Sequence, residues 1–204
     1  MDETQANYLP DPPTDDAVEE TYQEDRASDG YIANVTRLWA WRPDLAESFT
    51  QLRSHLMETS ELGDRDFAVL VASTAGALGD SYCSLAWGVR LAALTDDETA
   101  VAVVSGREAD ALSEREAALA AWARRIVRDP NATTPADVEA LRRAGLDERE
   151  IFEATLYVGL RLAFSSVNDA LGATPDRQLA NSAPEVLRAA VSYGRRPGAM
   201  PSGA

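Results

Sequence analysis

Asp80-Ser81-Tyr82-Cys83-Ser84-Leu85-Ala86-Trp87, entered through Gly79, is the stretch that decides how this chain folds. Glycine tolerates the left-handed backbone that ends a helix, and an aspartate just after it is a good N-cap for the next one. The stretch therefore reads as the junction of two helices, with Asp80 accepting a backbone N–H from Cys83. On the second helix, positions 80, 83 and 87 fall three and four residues apart and share one face. Cys83 is the only cysteine of the chain and His55, elsewhere, the only histidine.

Outward from this junction the pattern stays helical. Upstream, Asp64-Arg65-Asp66 opens the strongly apolar run Phe67 to Leu78, which reads as a buried helix closed by Gly79. Before that, Pro43 suits a first helical position, and Leu45, Phe49, Leu52 and Leu56 recur at helical spacing through Met57. Trp39 and Trp41 are expected to anchor the start of the domain against its core. Downstream, Thr95-Asp96-Asp97-Glu98 and Ser113-Glu114-Arg115-Glu116 both fit a capping box, in which a hydroxyl and a glutamate three residues on satisfy each other's backbone donors. Thr134-Pro135 opens a short helix ending at Gly145. Asp147 with Glu150 opens a long one, Ile151 to Leu171, and a last helix is expected from Ser182 to about Val191. No segment alternates with period two, so the fold class is all-α. The long helix carries apolar residues on more of its circumference than one neighbour can cover, which points to a subunit interface.

Composition narrows the function. Asp and Glu number 34 against 19 basic residues, a formal charge of -15, so nucleic acid and anionic membrane surfaces are disfavoured as partners. Every basic residue is arginine, which removes Schiff-base chemistry through lysine. One cysteine forbids an intrachain disulfide, one histidine leaves the Cys/His zinc patterns unavailable, and no carboxylate spacing argues for another metal. No motif calls for a cofactor. Residues 1–30, acidic and holding Pro10, Pro12 and Pro13, read as a disordered tail without the basic start and apolar core of a signal peptide, and 194–204 as a flexible end. The folded domain is expected over 31–193. With no run of about 18 apolar residues, no membrane span is expected, and the location is read as cytoplasmic.

Together these pieces resemble the AhpD-like superfamily, which holds the alkylhydroperoxidases and carboxymuconolactone decarboxylases. The resemblance runs from about Ile32 to Gln178. In that family a small-residue turn leads into Cys-x-Tyr-Cys, three residues and a histidine. Here Gly79 is the turn, Tyr82-Cys83 and Ala86 match, Asp80 stands for the first cysteine and Trp87 for the histidine. Downstream, Ala136-Asp137-Val138-Glu139-Ala140-Leu141-Arg142-Arg143-Ala144-Gly145-Leu146, then Glu150-Ile151, Phe164 and Asp169-Ala170-Leu171-Gly172, are similar to a peroxidase-related branch. The family's upstream glutamate falls near Asp66.

The resemblance implies a helical homo-oligomer, dimer, trimer or hexamer, with Cys83, Asp80 and Asp66 as candidate catalytic groups and Tyr82 and Trp87 lining the pocket. A thiolate that attacks a hydroperoxide becomes a sulfenic acid. With no resolving sulfur, Cys83 would need an external thiol to regenerate it. The alternative is a catalytically degenerate protein whose old pocket binds a small molecule or is filled, with Trp87 packing in place of the histidine. Decarboxylase chemistry on a small organic acid lacks a placed histidine and is the weakest of the three. The motif's position in the bundle implies a sulfur near its mouth. There the helix dipole, which favours the thiolate, and the Asp80 charge, which opposes it, offset each other and leave a sluggish nucleophile.

Overall fold

In the computed structural model, which describes residues 7–197, the apolar run after Asp64 is the axis of the molecule. Helix α4 (Asp64–Leu78) buries every residue from Asp66 to Ala75, and each large side chain so removed from water contributes roughly 1.5–3 kcal/mol. Around it stand α3 (Pro43–Thr59), α5 (Ser81–Leu94), α6 (Asp97–Val104), α7 (Glu114–Arg128), α8 (Pro135–Arg143) and α9 (Glu148–Ala170). One core, built on Phe67, Leu70, Leu119, Trp122, Tyr157 and Val158, lies between α4, α7 and α9. A second, on Val69, Leu85, Leu91, Val103 and Leu187, lies between α4, α5, α6 and the terminal helix α11 (Glu185–Ala190). Trp87 packs against both.

The helix signals act where the sequence puts them. Gly79 takes φ 82° and closes α4, and Asp80 caps α5 by accepting the Cys83 N–H at 2.9 Å. Ser113 with Glu116, Thr134 with Asp137, and Asp147 with Glu150 form reciprocal capping boxes. One cap differs. Before α6 the side chain that accepts is Asp96, from the Thr99 N–H at 2.8 Å and the Thr99 hydroxyl at 2.7 Å, while the Thr95 hydroxyl donates back to Leu91 O at 2.7 Å and so does not cap.

The expected terminal tails differ more. Residues Asp16–Ser28 form α1, capped by Asp15, which buries Val18 and Tyr22 beside Ala40 in a small third cluster. Before it, Tyr8 N–H donates to Leu171 O at 2.8 Å and Asp11 pairs with Arg37 at 2.5 Å. The acidic composition concealed two apolar residues one helical turn apart. Helix α2 (Asn34–Trp39) follows. At the other end the expected terminal helix is α11, which starts three residues later than Ser182, just after Pro184, and a separate short helix not expected from the sequence, α10 (Arg177–Ser182), precedes it. Residues 194–197 are held too: Arg195 N–H donates to Ser81 Oγ, which donates to Arg195 O at 2.8 Å. The remainder of both expected tails, 1–6 and 198–204, lies outside the described residues.

Candidate functional site

Cys83 occupies the first turn of α5 where that helix passes α9. The sulfur does not sit at the mouth of the bundle: the residue is 2% exposed. Arg161, on α9 and 3% exposed, donates from Nη2 to Cys83 Sγ at 3.0 Å, and Ser165 Oγ lies 3.8 Å from it. Burial pushes the Cys83 thiol up to about 12; Arg161 opposes that rise and the Asp80 carboxylate adds to it. Desolvation, not a balance of dipole against Asp80, therefore sets the state of this group. Asp80 is fully buried, and while Oδ1 caps the helix, Oδ2 has no hydrogen-bond partner.

Two further groups complete the site. The Arg161 guanidinium lies 5.5 Å over the Trp87 ring and 4.9 Å over Phe164, and Arg53, from α3, lies 5.4 Å over the same Phe164 and 5.6 Å over Phe49. Trp39 stacks on Phe164 at 5.2 Å and donates Nε1–H to Asn168 Oδ1 at 2.8 Å, whereas Trp41 is exposed and bonds only Pro10 O. Burial and the neighbouring Arg161 charge lower the Arg53 pKa.

Of the residues singled out in the sequence, Cys83, Asp80 and Trp87 come together and two do not. Tyr82, one residue from Cys83 and so about 100° around the helix, points away and donates its hydroxyl to Asp176. Asp66 lies near the start of α4, a 15-residue helix about 22 Å long, while Cys83 follows its far end. Its carboxylate accepts from Gly63 N–H at 3.1 Å and pairs with Arg115, which also holds Glu150 at 2.6 Å. It is a structural cap and ion-pair partner, placed away from the sulfur. His55 is exposed on α3. Among the described residues no three of His, Cys, Asp and Glu converge as metal ligands.

Arg161 is the group that sequence reasoning missed, and a signal for it existed. Ala154, Val158, Arg161, Ser165 and Asn168 recur at three- and four-residue intervals along the buried face of α9, so an arginine on that stripe enters the core.

No family model matches the sequence, and no curated protein sequence does. Solved structures do match. A peroxidase-related protein from Ralstonia eutropha JMP134, described as an alkylhydroperoxidase AhpD core, superposes with a TM-score of 0.74 at 22% identity, over 85% of this chain and 94% of that one. The chain has the AhpD-like fold. A peroxidase-related protein from Silicibacter sp. TM1040 gives 0.78 at 21% identity, over 88% and 96%. The debrominase Bmp8, as a Cys-to-Ala variant in complex with 2,3,4-tribromopyrrole, gives 0.68 at 16%, over 85% and 95%. Within this AhpD-like fold the α4–α5 junction at Gly79 is what carries Asp80 and Cys83 into the interior.

Proposed function

We propose that this protein is a thiol-dependent oxidoreductase that reduces organic hydroperoxides through Cys83. The observation that carries the reading is the Arg161 guanidinium on Cys83 Sγ at 3.0 Å, beside the unpartnered Oδ2 of Asp80. Asp80 takes the thiol proton and Arg161 holds the sulfur's developing negative charge. The thiolate attacks the distal peroxide oxygen, the O–O bond breaks, and the alkoxide leaves as an alcohol with the proton from Asp80. Cys83 is then a sulfenic acid. Two equivalents of an external thiol return it to the thiol, releasing a disulfide and water. That need for reductant favours the cytoplasm, and no helix among the described residues is long and apolar enough to cross a membrane.

Stoichiometric oxidation of Cys83 by cumene hydroperoxide, trapped with a sulfenic-acid reagent and read by mass spectrometry, is the expected result, with Cys83→Ser abolishing peroxide consumption. Consumption unchanged in that variant would sink the reading. Burial of the sulfur and its raised pKa favour a second reading, a site that binds a small molecule without turnover. That reading expects no trapped sulfenic acid with any hydroperoxide.

We also propose that the chain is a homo-oligomer. Phe152, Leu156, Gly159, Ala163, Val167 and Ala170 form an exposed, uncharged strip along α9, with Phe152 66% exposed, and an uncovered apolar strip of this kind is a usual place for a second copy to dock. Phe152→Asp should reduce the sedimenting mass to that of a smaller species while leaving the helical circular dichroism intact. An unchanged mass would remove this strip from the interface.

A further inference from the structure

Arg161 and Arg53 are anomalous because buried charge is tolerated when it is paired, and among the described residues no carboxylate forms an ion pair with either. Both Nε atoms are buried and without a hydrogen-bond partner. Arg65 and Arg115 are paired, to Glu116 at 2.6 Å and to Glu150 at 2.6 Å, and Arg124, half-buried and without a carboxylate, reaches only the Ser73 hydroxyl at 3.4 Å. The Arg53 and Arg161 guanidiniums sit over one ring, Phe164, with Trp87 and Phe49 on either side. Exposure falls in order along the group: Arg53 is half-buried, Arg161 is 3% exposed and Cys83 2%. The wall that carries Arg53 is lightly anchored, since α3 fully buries only Leu56 of its 17 residues, and an element with so little buried surface opens at low cost.

We propose that Arg53 and Arg161 form a seat for the carboxylate of an organic acid whose apolar body lies against Phe49, Phe164 and Trp87. Planar guanidiniums match a carboxylate edge to edge, and their open Nε–H groups are the donors such a ligand would satisfy. The faces of Phe49 and Phe164 are taken by the guanidiniums and Trp39, so it is the ring edges beside the seat that meet the apolar body, and the ligand carries one negative end and one apolar end. Resting on the thiol reading above, this makes the substrate a hydroperoxide that bears a carboxylate, in preference to hydrogen peroxide or a neutral alkyl hydroperoxide. Cys83 attacks its distal oxygen, and the product is the corresponding hydroxy acid.

Two measurements on the full chain separate the seat from the chemistry. Calorimetric titration with para-isopropylbenzoate, which cannot oxidise sulfur, should show binding that weakens about tenfold in Arg53→Gln, as for loss of one charge-assisted hydrogen bond, and is largely restored in Arg53→Lys. Neutral isopropylbenzene should bind at least about tenfold more weakly. The second-order rate of Cys83 oxidation by para-carboxy cumene hydroperoxide should exceed that by cumene hydroperoxide about tenfold, and the ratio should fall toward one in Arg53→Gln. No benzoate binding, or binding indifferent to both Arg53 variants, overturns the seat. Arginine-dependent binding with no oxidation by either hydroperoxide upholds the seat and overturns the thiol reading.

Discussion

The rate at which Cys83 reacts with a small neutral alkylating reagent is expected to rise about tenfold per pH unit from about pH 7 to about pH 10, without a plateau, because only the thiolate reacts. The cause is the balance of forces on one atom. Removing the sulfur from water pushes its pKa up to about 12, and the largest opposing contact is Arg161, with the Ser165 hydroxyl opposing it less. A plateau below about pH 8 would mean that the guanidinium wins over desolvation and that Cys83 rests as a thiolate. Arg161→Met should slow the reaction at every pH and leave the slope unchanged, since it removes the group that most lowers the pKa. The same shift has a consequence for stability. Below the ordinary thiol value of 9.0 both folded and unfolded thiols keep their protons, and burial of Cys83 has no pH-dependent cost. Above it the unfolded chain releases a proton that the native state retains, so stability is lost as pH climbs through the window from 9.0 to about 12. Equilibrium unfolding of the protein and of Cys83→Ser over that range should diverge, the native chain losing more.

The helices were legible because their ends carry local chemistry. A glycine that can take positive φ, an aspartate or serine that can cap, and an acidic partner three residues on each act within one turn, and α4, α5, α7, α8 and α9 begin or end where such residues stand. The site was legible only on its own helix. Asp80, Cys83 and Trp87 share a face of α5 by spacing alone, but the partners of the sulfur, Arg161 and Ser165, come from α9, 78 residues downstream in the case of Arg161, and the second guanidinium, Arg53 over Phe164, comes from α3 upstream. No spacing rule connects those positions. Composition misled at the amino end for a related reason: Val18 and Tyr22 are a small fraction of an acidic stretch, yet two apolar residues on one turn are enough to dock α1 when Ala40 and Ile32 wait for them.

Gly76→Ala is expected to cost about 3 kcal/mol or more and to lower the thermal midpoint by roughly 10 °C. The backbone dihedrals of Gly76 are ordinarily helical, so the cost is not conformational; alanine by itself favours a helix over glycine by about 1 kcal/mol. It is steric. A Cβ at position 76 would lie 2.0 Å from the Val104 carbonyl oxygen and 2.9 Å from its carbon, and both atoms are backbone at the end of α6, which cannot swing aside as a side chain can. Gly88 makes the comparison. The three atoms nearest a Cβ there all belong to the Leu187 side chain, at 2.8, 2.9 and 3.3 Å, and a leucine can change rotamer, so Gly88→Ala should cost about 1 kcal/mol. A thermal melt in which the two variants fall by the same amount would show that α4 and α6 are free to separate. If they are not, Gly76 is what allows α4 to lie close enough to α6 for its last turn to deliver Gly79, Asp80 and Cys83 to Arg161. In that case Gly76→Ala should also change the reactivity of Cys83, although residue 76 touches neither the sulfur nor the guanidinium.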